Sequence, residues 1–444
     1  MTDATSPPDE AALEAQILEL TAQLHALRES RRPAFEAGKT RIPYAGRVFE
    51  AAELQAGVKA CLDAWLTLGP EGHAFEAELA EYLGLRHALL VNSGSSANLV
   101  AFATLTSPKL KDRALRPGDE VITVAAGFPT TVNPILQHGC VPVFVDVDPV
   151  TVNVDVAQLE AARSERTRAV MLAHTLGNPF DLDAVTAFCQ RHGLYLIEDN
   201  CDALGSRYRG KLTGTFGDIG TSSFYPPHHL TMGEGGAVYM DSPKLKRLAE
   251  SFRDWGRDCY CPSGKDDTCG RRFDWGWKKL PRGYDHKYVY SHLGYNLKPT
   301  DVQAAIGRVQ LRKVEDFGAR RRANWAALRE RLRSFEADWQ FQEPTPGADP
   351  SWFGLLAVMR EPDHDRLTRI CRELDQRGVG NRRLFAGNIL WQPAYADVPH
   401  RTLDDLPHTC RIATGGLFVG VYPGLTEEML AAQADILTEV LRGA

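Results

Sequence analysis

The chain has 444 residues, 43% hydrophobic and 24% charged, with a formal net charge of −6 and a pI near 6.1. That is chain enough for two domains around large buried cores, and the mild acidity speaks against nucleic acid or a membrane surface as partner. No apolar run approaches the ~18 residues a membrane span needs, and Met1 to Glu10 lacks the basic and apolar regions of a secretory signal, so a cytoplasmic protein is expected.

Residues 1–10 read as disordered. From Ala11 to about Arg31, Leu13, Ile17, Leu20, Leu24 and Leu27 recur at spacings of four and three, predicting a helix with one apolar stripe for packing or dimer contact. Ala51 to Leu66 predicts a second helix, Gly69 to Gly72 a break, and His73 to Leu83 a third helix. A strand–helix rhythm follows. Apolar strands are expected at 87–92, 120–125, 141–147, 168–174, 194–198, 221–225 and 237–240, with helices or turns between them. Buried strands alternating with helices predict an α/β fold with a mostly parallel sheet covered on both faces. Between Arg253 and Tyr295 the rhythm stops, in a stretch rich in Gly, Trp, Cys, Asp and Lys that reads as a long functional loop. Asp301 to Phe335 predicts one or two long helices, and the remainder a smaller α/β domain.

Several segments carry chemistry. Gly94-Ser95-Ser96 lies between a strand and a helix, where backbone N–H groups and the helix dipole suit a phosphate. Asp199 ends a strand. His228 and His229 stand side by side before Gly233-Glu234-Gly235-Gly236, and spacing alone does not choose between them. Other phosphate motifs are absent: no Gly-x-Gly-x-x-Gly follows the first strand, and Pro33 stands where a P-loop ending at Gly38-Lys39-Thr40 needs its first Gly.

Nine cysteines in a reducing compartment suggest buried thiols or metal ligands rather than disulfides. Cys201, Cys259, Cys261 and Cys269 form the pattern Cys-x57-Cys-x-Cys-x7-Cys. Three cysteines so close in an irregular loop suit a thiolate-bound metal centre. Spacing alone leaves zinc, unliganded thiols and iron–sulfur open.

The stretch Ser222 to Gly236 resembles the cofactor-lysine segment of the DegT/DnrJ/EryC1/StrS sugar aminotransferases, with His228 at the lysine position. The resemblance extends through Gly94-Ser95-Ser96, Gly127-Phe128-Pro129, Ile197-Glu198-Asp199, Ser223 and Gly294-Tyr295-Asn296 with Gln303-Ala304-Ala305. It implies a fold-type I pyridoxal phosphate enzyme: a large domain with a mostly parallel seven-stranded sheet and a smaller C-terminal α/β domain. The implied division is 1–68 (N-terminal helices and arm, packing with the small domain), 69–310 (cofactor domain, iron–sulfur loop about 253–295) and 311–444. An imidazole cannot form the Schiff base that a lysine amine forms, yet it moves protons near neutral pH.

The His-for-Lys change together with the four-cysteine spacing resembles the iron–sulfur 3-dehydrase group of that family, which acts on CDP-4-keto-6-deoxyglucose and other nucleotide-linked 4-keto sugars. Asp285-His286-Lys287-Tyr288 and Gln392-Pro393-Ala394-Tyr395 extend the match. The resemblance implies pyridoxamine or pyridoxal 5′-phosphate as cofactor and His228 as catalytic base. It implies Gly94, Ser95, Ser96, Phe128, Asp199, Asp202, Ser223, Tyr225, Asn296 and Phe353 around the cofactor, with Asn296 acting from the partner of a homodimer. It implies a [2Fe–2S] cluster on Cys201, Cys259, Cys261 and Cys269. The electron donor would be an NADH-dependent iron–sulfur flavoprotein reductase or a ferredoxin/flavodoxin system. The competing expectations are a cluster-free dehydratase of the same family, and an inactive aminotransferase fold with a zinc site.

Overall fold

The computed structural model describes residues 9–443 except 263 and 278; the expected N-terminal disorder falls mostly on residues 1–8, outside the described residues. Asp9 caps α1 (Glu10–Ser30) by accepting the N–H of Ala11. The apolar stripe of α1 is present but uncovered by this chain: no residue of the helix is buried, and Leu20 is 56% exposed. α2 (Ala51–Leu62) stops four residues before the expected end, and Ala64 takes a positive φ of 55°. α1 lies along α2 through Gln55, which donates to the Leu18 carbonyl at 3.0 Å, and the Lys59–Glu14 pair at 2.7 Å.

The break expected at Gly69 to Gly72 is instead the start of α3 (Pro70–Leu83). Pro70 suits the first helical position because its missing N–H would be unsatisfied there anyway. The carboxylate of Asp301 accepts the N–H groups of Gly69 (2.6 Å), Glu71 (3.1 Å) and Gly72 (2.9 Å), so the cap comes from 230 residues away and leaves no local signal.

Seven strands, β1 (His87–Val91), β2 (Glu120–Val124), β3 (Val141–Val145), β4 (Thr167–Ala173), β5 (Tyr195–Asp199), β6 (Ile219–Ser223) and β7 (Gly236–Met240), build the main sheet. Their order is β1-β7-β6-β5-β4-β2-β3, and Arg401–Thr402 adds an eighth, two-residue strand beside β3. Only β7 runs antiparallel to its neighbours. The fold is that of the fold-type I enzymes, as the resemblance implied. Nearly every strand residue is buried, which is why these strands read as continuous apolar runs rather than alternating ones. A four-stranded antiparallel sheet, Trp339–Phe341, Gly354–Met359, Gly416–Gly420 and Asn381–Arg382 in that order, forms the core of the C-terminal region with the helices His364–Gln376 and Glu427–Gly443.

Candidate active site

The parallel strands point their carboxyl ends to one edge, where ligands bind in open α/β sheets. A cavity of about 600 Å³ opens there. Its lining comes from the segments that leave β1 (Ser93, Gly94, Ser95), β2 (Gly127, Phe128), β5 (Asp199, Cys201, Asp202) and β6 (Ser223, Tyr225, His228), with Phe353 and Arg383 from the C-terminal region.

The Gly94-Ser95-Ser96 stretch, expected between strand and helix, is itself the first turn of α4 (Gly94–Leu105). Ser93 is the cap, its hydroxyl accepting the Ser96 N–H at 3.1 Å. Ser96 turns its own hydroxyl to Asn92 Oδ1 at 2.6 Å and does not line the cavity, unlike Gly94 and Ser95. A Cβ on Gly94 would stand 2.4 Å from Cβ of Ser223, so only glycine lets the helix start pack on the end of β6. The free N–H groups of a helix start and a serine hydroxyl thus converge, the chemistry of a phosphate cradle.

Asp199 is fixed from both sides. Its Oδ2 accepts from Asn98 Nδ2 and from Thr131 Oγ1, each at 2.7 Å, and its Oδ1 accepts the Cys201 N–H at 3.1 Å. Asn98 is itself held by Thr221 Oγ1, which donates to its Oδ1 at 2.7 Å. All these partners are neutral donors. A carboxylate lining a cavity with no cationic side chain bonded to it suits a protonated ring nitrogen of a ligand, which fits pyridoxamine or pyridoxal phosphate. Phe128 is 51% exposed at the mouth, edge-on to Phe385 at 5.9 Å.

The two adjacent histidines separate sharply. His228 lines the cavity, its Nδ1 3.3 Å from Asp202 Oδ1 and its ring 5.5 Å from that of Phe353. His229 is 2% exposed and points away, its Nε2 donating to the Ser351 carbonyl at 2.6 Å. Burial, and then the nearby Arg321 guanidinium, push the His229 imidazole well below its usual range, so it stays neutral. Arg321, fully buried, donates to the carbonyls of Trp352 (3.1 Å), His228 (3.1 Å) and Pro227 (3.4 Å). It pins the backbone that carries His228, and burial pushes it down to about 9. Burial pushes the Asp202 carboxyl up, with His228 opposing.

Sequence reasoning missed Asn98, Thr131, Arg321 and Arg383. Asn98 had a signal: it is the polar residue at the head of an otherwise apolar helix run, and it is fully buried. Arg383 had only its neighbour Arg382, and nothing in the local sequence shows that the pair meets the cavity.

The four cysteines do not come together within the chain. Cys259, Cys261 and Cys269 line one small pocket in the 253–295 loop, with Thr268 Oγ1 donating to Cys261 Sγ at 3.1 Å. Cys201 lines the large cavity instead. Among the described residues, no group of three or more His, Cys, Asp or Glu side chains is arranged to hold a metal ion. The four expected ligands thus line two different pockets of one chain, with the loop bonded to α3 and to the segment Ser107–Lys109. Asn296 is likewise outside the cavity of its own chain, accepting from Lys298 Nζ at 2.8 Å. No helix among the described residues is long and apolar enough to cross a membrane.

The sequence is 53% identical over 418 residues to the lipopolysaccharide biosynthesis protein RfbH of Salmonella typhimurium, spanning 94% of this chain and 95% of the relative. It is 50% identical to a dTDP-4-dehydro-2,6-dideoxy-D-glucose 3-dehydratase of Saccharopolyspora spinosa, over 93% of this chain and 89% of that one. Among solved structures, the GDP-4-keto-6-deoxy-D-mannose-3-dehydratase of E. coli with bound hydrated PLP superimposes with a TM-score of 0.81 at 27% identity, covering 90% of this chain and all of that one. Residues 49–438 match the family described as DegT/DnrJ/EryC1/StrS aminotransferases. With that match spanning most of the chain, and a phosphate cradle, Asp199 and His228 gathered at the sheet edge, the chain belongs to the DegT/DnrJ/EryC1/StrS aminotransferase family.

Proposed function

We propose that this chain removes the C3 hydroxyl of a nucleotide-linked 4-keto-6-deoxyhexose, of the CDP-4-keto-6-deoxyglucose type, in 3,6-dideoxysugar and lipopolysaccharide O-antigen biosynthesis. Its cofactors are pyridoxamine 5′-phosphate and a [2Fe–2S] cluster. The observation that carries this is the cavity itself: it holds Asp199 and His228, and no lysine lines it among the described residues. Such a site cannot anchor the aldehyde form of the cofactor as a transaminase does. The named 3-dehydratase relatives act on dTDP- and GDP-linked sugars, so C3 dehydration is what they share while the nucleotide varies.

Bound in the cavity, pyridoxamine phosphate supplies an amine for the C4 ketone and a ring that accepts electrons. Gly94, Ser95 and Ser223 would hold its phosphate, Phe128 would pack against its ring, and Asp199 would keep the ring nitrogen protonated. His228 would serve as the base beside the bound cofactor, with Asp202 next to its Nδ1 and Nε2 left to move the proton. Tyr225 and Phe353 close the walls, and the partner subunit's Asn296 completes the phosphate site. Overall the C3–O bond breaks, the hydroxyl leaves as water, and a C3–H bond forms. The balance requires two electrons and two protons per turnover. The electrons come from a separate NADH-dependent iron–sulfur flavoprotein reductase, or from a ferredoxin or flavodoxin system, in the cytoplasm. The chain divides functionally at 69 and 311, so that the second segment holds the cofactor and the third closes on the sugar.

The test is anaerobic turnover of CDP-4-keto-6-deoxyglucose with pyridoxamine phosphate and reductant, beside iron and acid-labile sulfide analysis. About two irons and two sulfides per chain, with a 3,6-dideoxy product that disappears in Cys259→Ser, supports the proposal. Zinc in place of iron, or a dehydration product formed with glutamate and no reductant, overturns it.

A further inference from the structure

The separation of the cysteines is a property of the packing, not of one loose side chain. Cys201 lines the large cavity with Asp199 and Asp202, whereas Cys259 lines a separate small pocket with Cys261 and Cys269. Among the described residues, none between Glu234 and Phe353 lines the cavity of its own chain. The 253–295 loop is tied down elsewhere. At its start, Arg253 Nη1 donates to Glu76 Oε1 (2.8 Å) and to the Leu90 carbonyl (3.1 Å). At its end, buried His292 is held between Ser107 (2.7 Å) and Ser251 (2.8 Å). Near the cysteines, His286 Nε2 meets Asp258 Oδ2 at 2.9 Å, and Asp258 also takes Lys109 and Ser291. The backbone at Gly264 lies so close to the Trp65 indole, just beyond α2, that a Cβ there would stand 2.7 Å from the ring. These contacts hold the loop beside α3 and Ser107–Lys109, in a pocket separate from the cavity that Cys201 lines.

Two surfaces are left open. The loop presents Tyr288, Tyr290 and Leu293 outward, Leu293 at 96% exposure, and the cavity mouth presents Phe128 and Tyr225, each about half exposed. One surface carries three thiols without a fourth. The other carries a single thiol without its three partners. In a two-fold dimer each chain would offer both surfaces, and two copies of the same contact would complete both sites.

We propose, resting on the cluster assigned under Proposed function, that each [2Fe–2S] cluster is held between subunits, by Cys259, Cys261 and Cys269 of one chain and the partner subunit's Cys201. The loop then covers the partner's cavity and brings the cluster to the cofactor there. The dimer becomes a condition for holding the cluster at all.

Hybrid dimers carrying two different affinity tags test this. Cys201→Ser and Cys259→Ser homodimers should each lose their iron while still binding pyridoxamine phosphate. A hybrid of one Cys201→Ser chain with one Cys259→Ser chain regains one complete site if ligation crosses the interface. It should hold half the wild-type iron and sulfide, with the visible and electron paramagnetic resonance spectra of the wild-type cluster. Ligation within one chain leaves both of its sites broken, so an iron-free hybrid overturns the proposal. The reciprocal hybrid, wild type with a chain carrying both substitutions, should be iron-free; half-loading there also overturns it. A wild-type protein that holds no cluster after reconstitution sinks the cluster assignment itself, and a wild-type monomer that keeps its cluster sinks only the bridge.

Discussion

His228 Nδ1 and Asp202 Oδ1 stand 3.3 Å apart on the cavity wall, with the ring turned off the line of a good hydrogen bond. A small rotation aligns Nδ1–H on the carboxylate and leaves Nε2 as the free base. Asp202 thereby acts on the reaction through His228, as a positioning residue. Replacing it as Asp202→Asn should lower kcat by about 100-fold, the scale of a misplaced catalytic group, with little change in KM. The pH profile of kcat should shift as well, which loss of packing alone would not cause. His228→Asn should lower kcat by about 10²–10⁴-fold and leave pyridoxamine phosphate binding intact by fluorescence titration. If Asp202→Asn leaves the pH profile unmoved, the positioning role is wrong.

Asn98 links Asp199 to Thr221 in a fully buried chain of hydrogen bonds. Asn98→Leu strips partners from a buried carboxylate and a buried hydroxyl, at a cost of roughly 1–3 kcal/mol. Denaturant unfolding of the apoprotein should show that loss. The cofactor should bind more weakly too, because Asp199 is then free to turn away from the ring nitrogen.

Arg383 reaches the cavity with Nη1 buried and unpartnered, while Nη2 donates to Thr368 Oγ1 at 3.1 Å. A guanidinium charge at the cavity wall suits a phosphate of the nucleotide. A charged hydrogen bond lost on truncation is worth about 1.5–3 kcal/mol. Arg383→Ala should therefore raise KM for the nucleotide sugar by tenfold or more and hold kcat near wild type. An unchanged KM would assign the arginine to structure.

Glu76 and Arg253 form a buried pair at 2.8 Å that also clamps the Leu90 peptide, since Glu76 Oε1 accepts the Leu90 N–H at 2.8 Å. Burial alone would raise the Glu76 carboxyl. The Arg253 charge and the bonds from His73 and Leu90 outweigh it and hold the group below the usual carboxylate range. A carboxyl depressed on folding stabilises fully above its unfolded pKa of about 4.3. That stability is lost as pH falls from there through the folded value. Glu76→Gln leaves Arg253 buried without its charge partner, at about 3–5 kcal/mol near neutral pH. Thermal unfolding should show a gap between wild type and variant that narrows below pH 4, and that shrinks again at higher pH as His73, whose imidazole Glu76 holds above its ordinary range, loses its proton.

What the sequence alone determined lies in short segments. The strand–helix rhythm and the clusters Gly94 to Ser96, Asp199 to Asp202 and Ser223 to His228 are each local. Periodicity and turn chemistry act over a few residues, and the sheet brings the ends of those segments to one edge. Local spacing left the two adjacent histidines equal and only the family resemblance named His228; in the tertiary structure buried Arg321 and Ser351 set the backbone path that turns it to the cavity. The tertiary structure alone decided that Asp199 leans on Asn98, 101 residues away, and that α3 is capped by Asp301. It also set Cys201 apart from the loop that carries the other three thiols. Spacing along a chain limits how far two thiols can be from each other, but it does not bring them together. The contacts that anchor each segment do that.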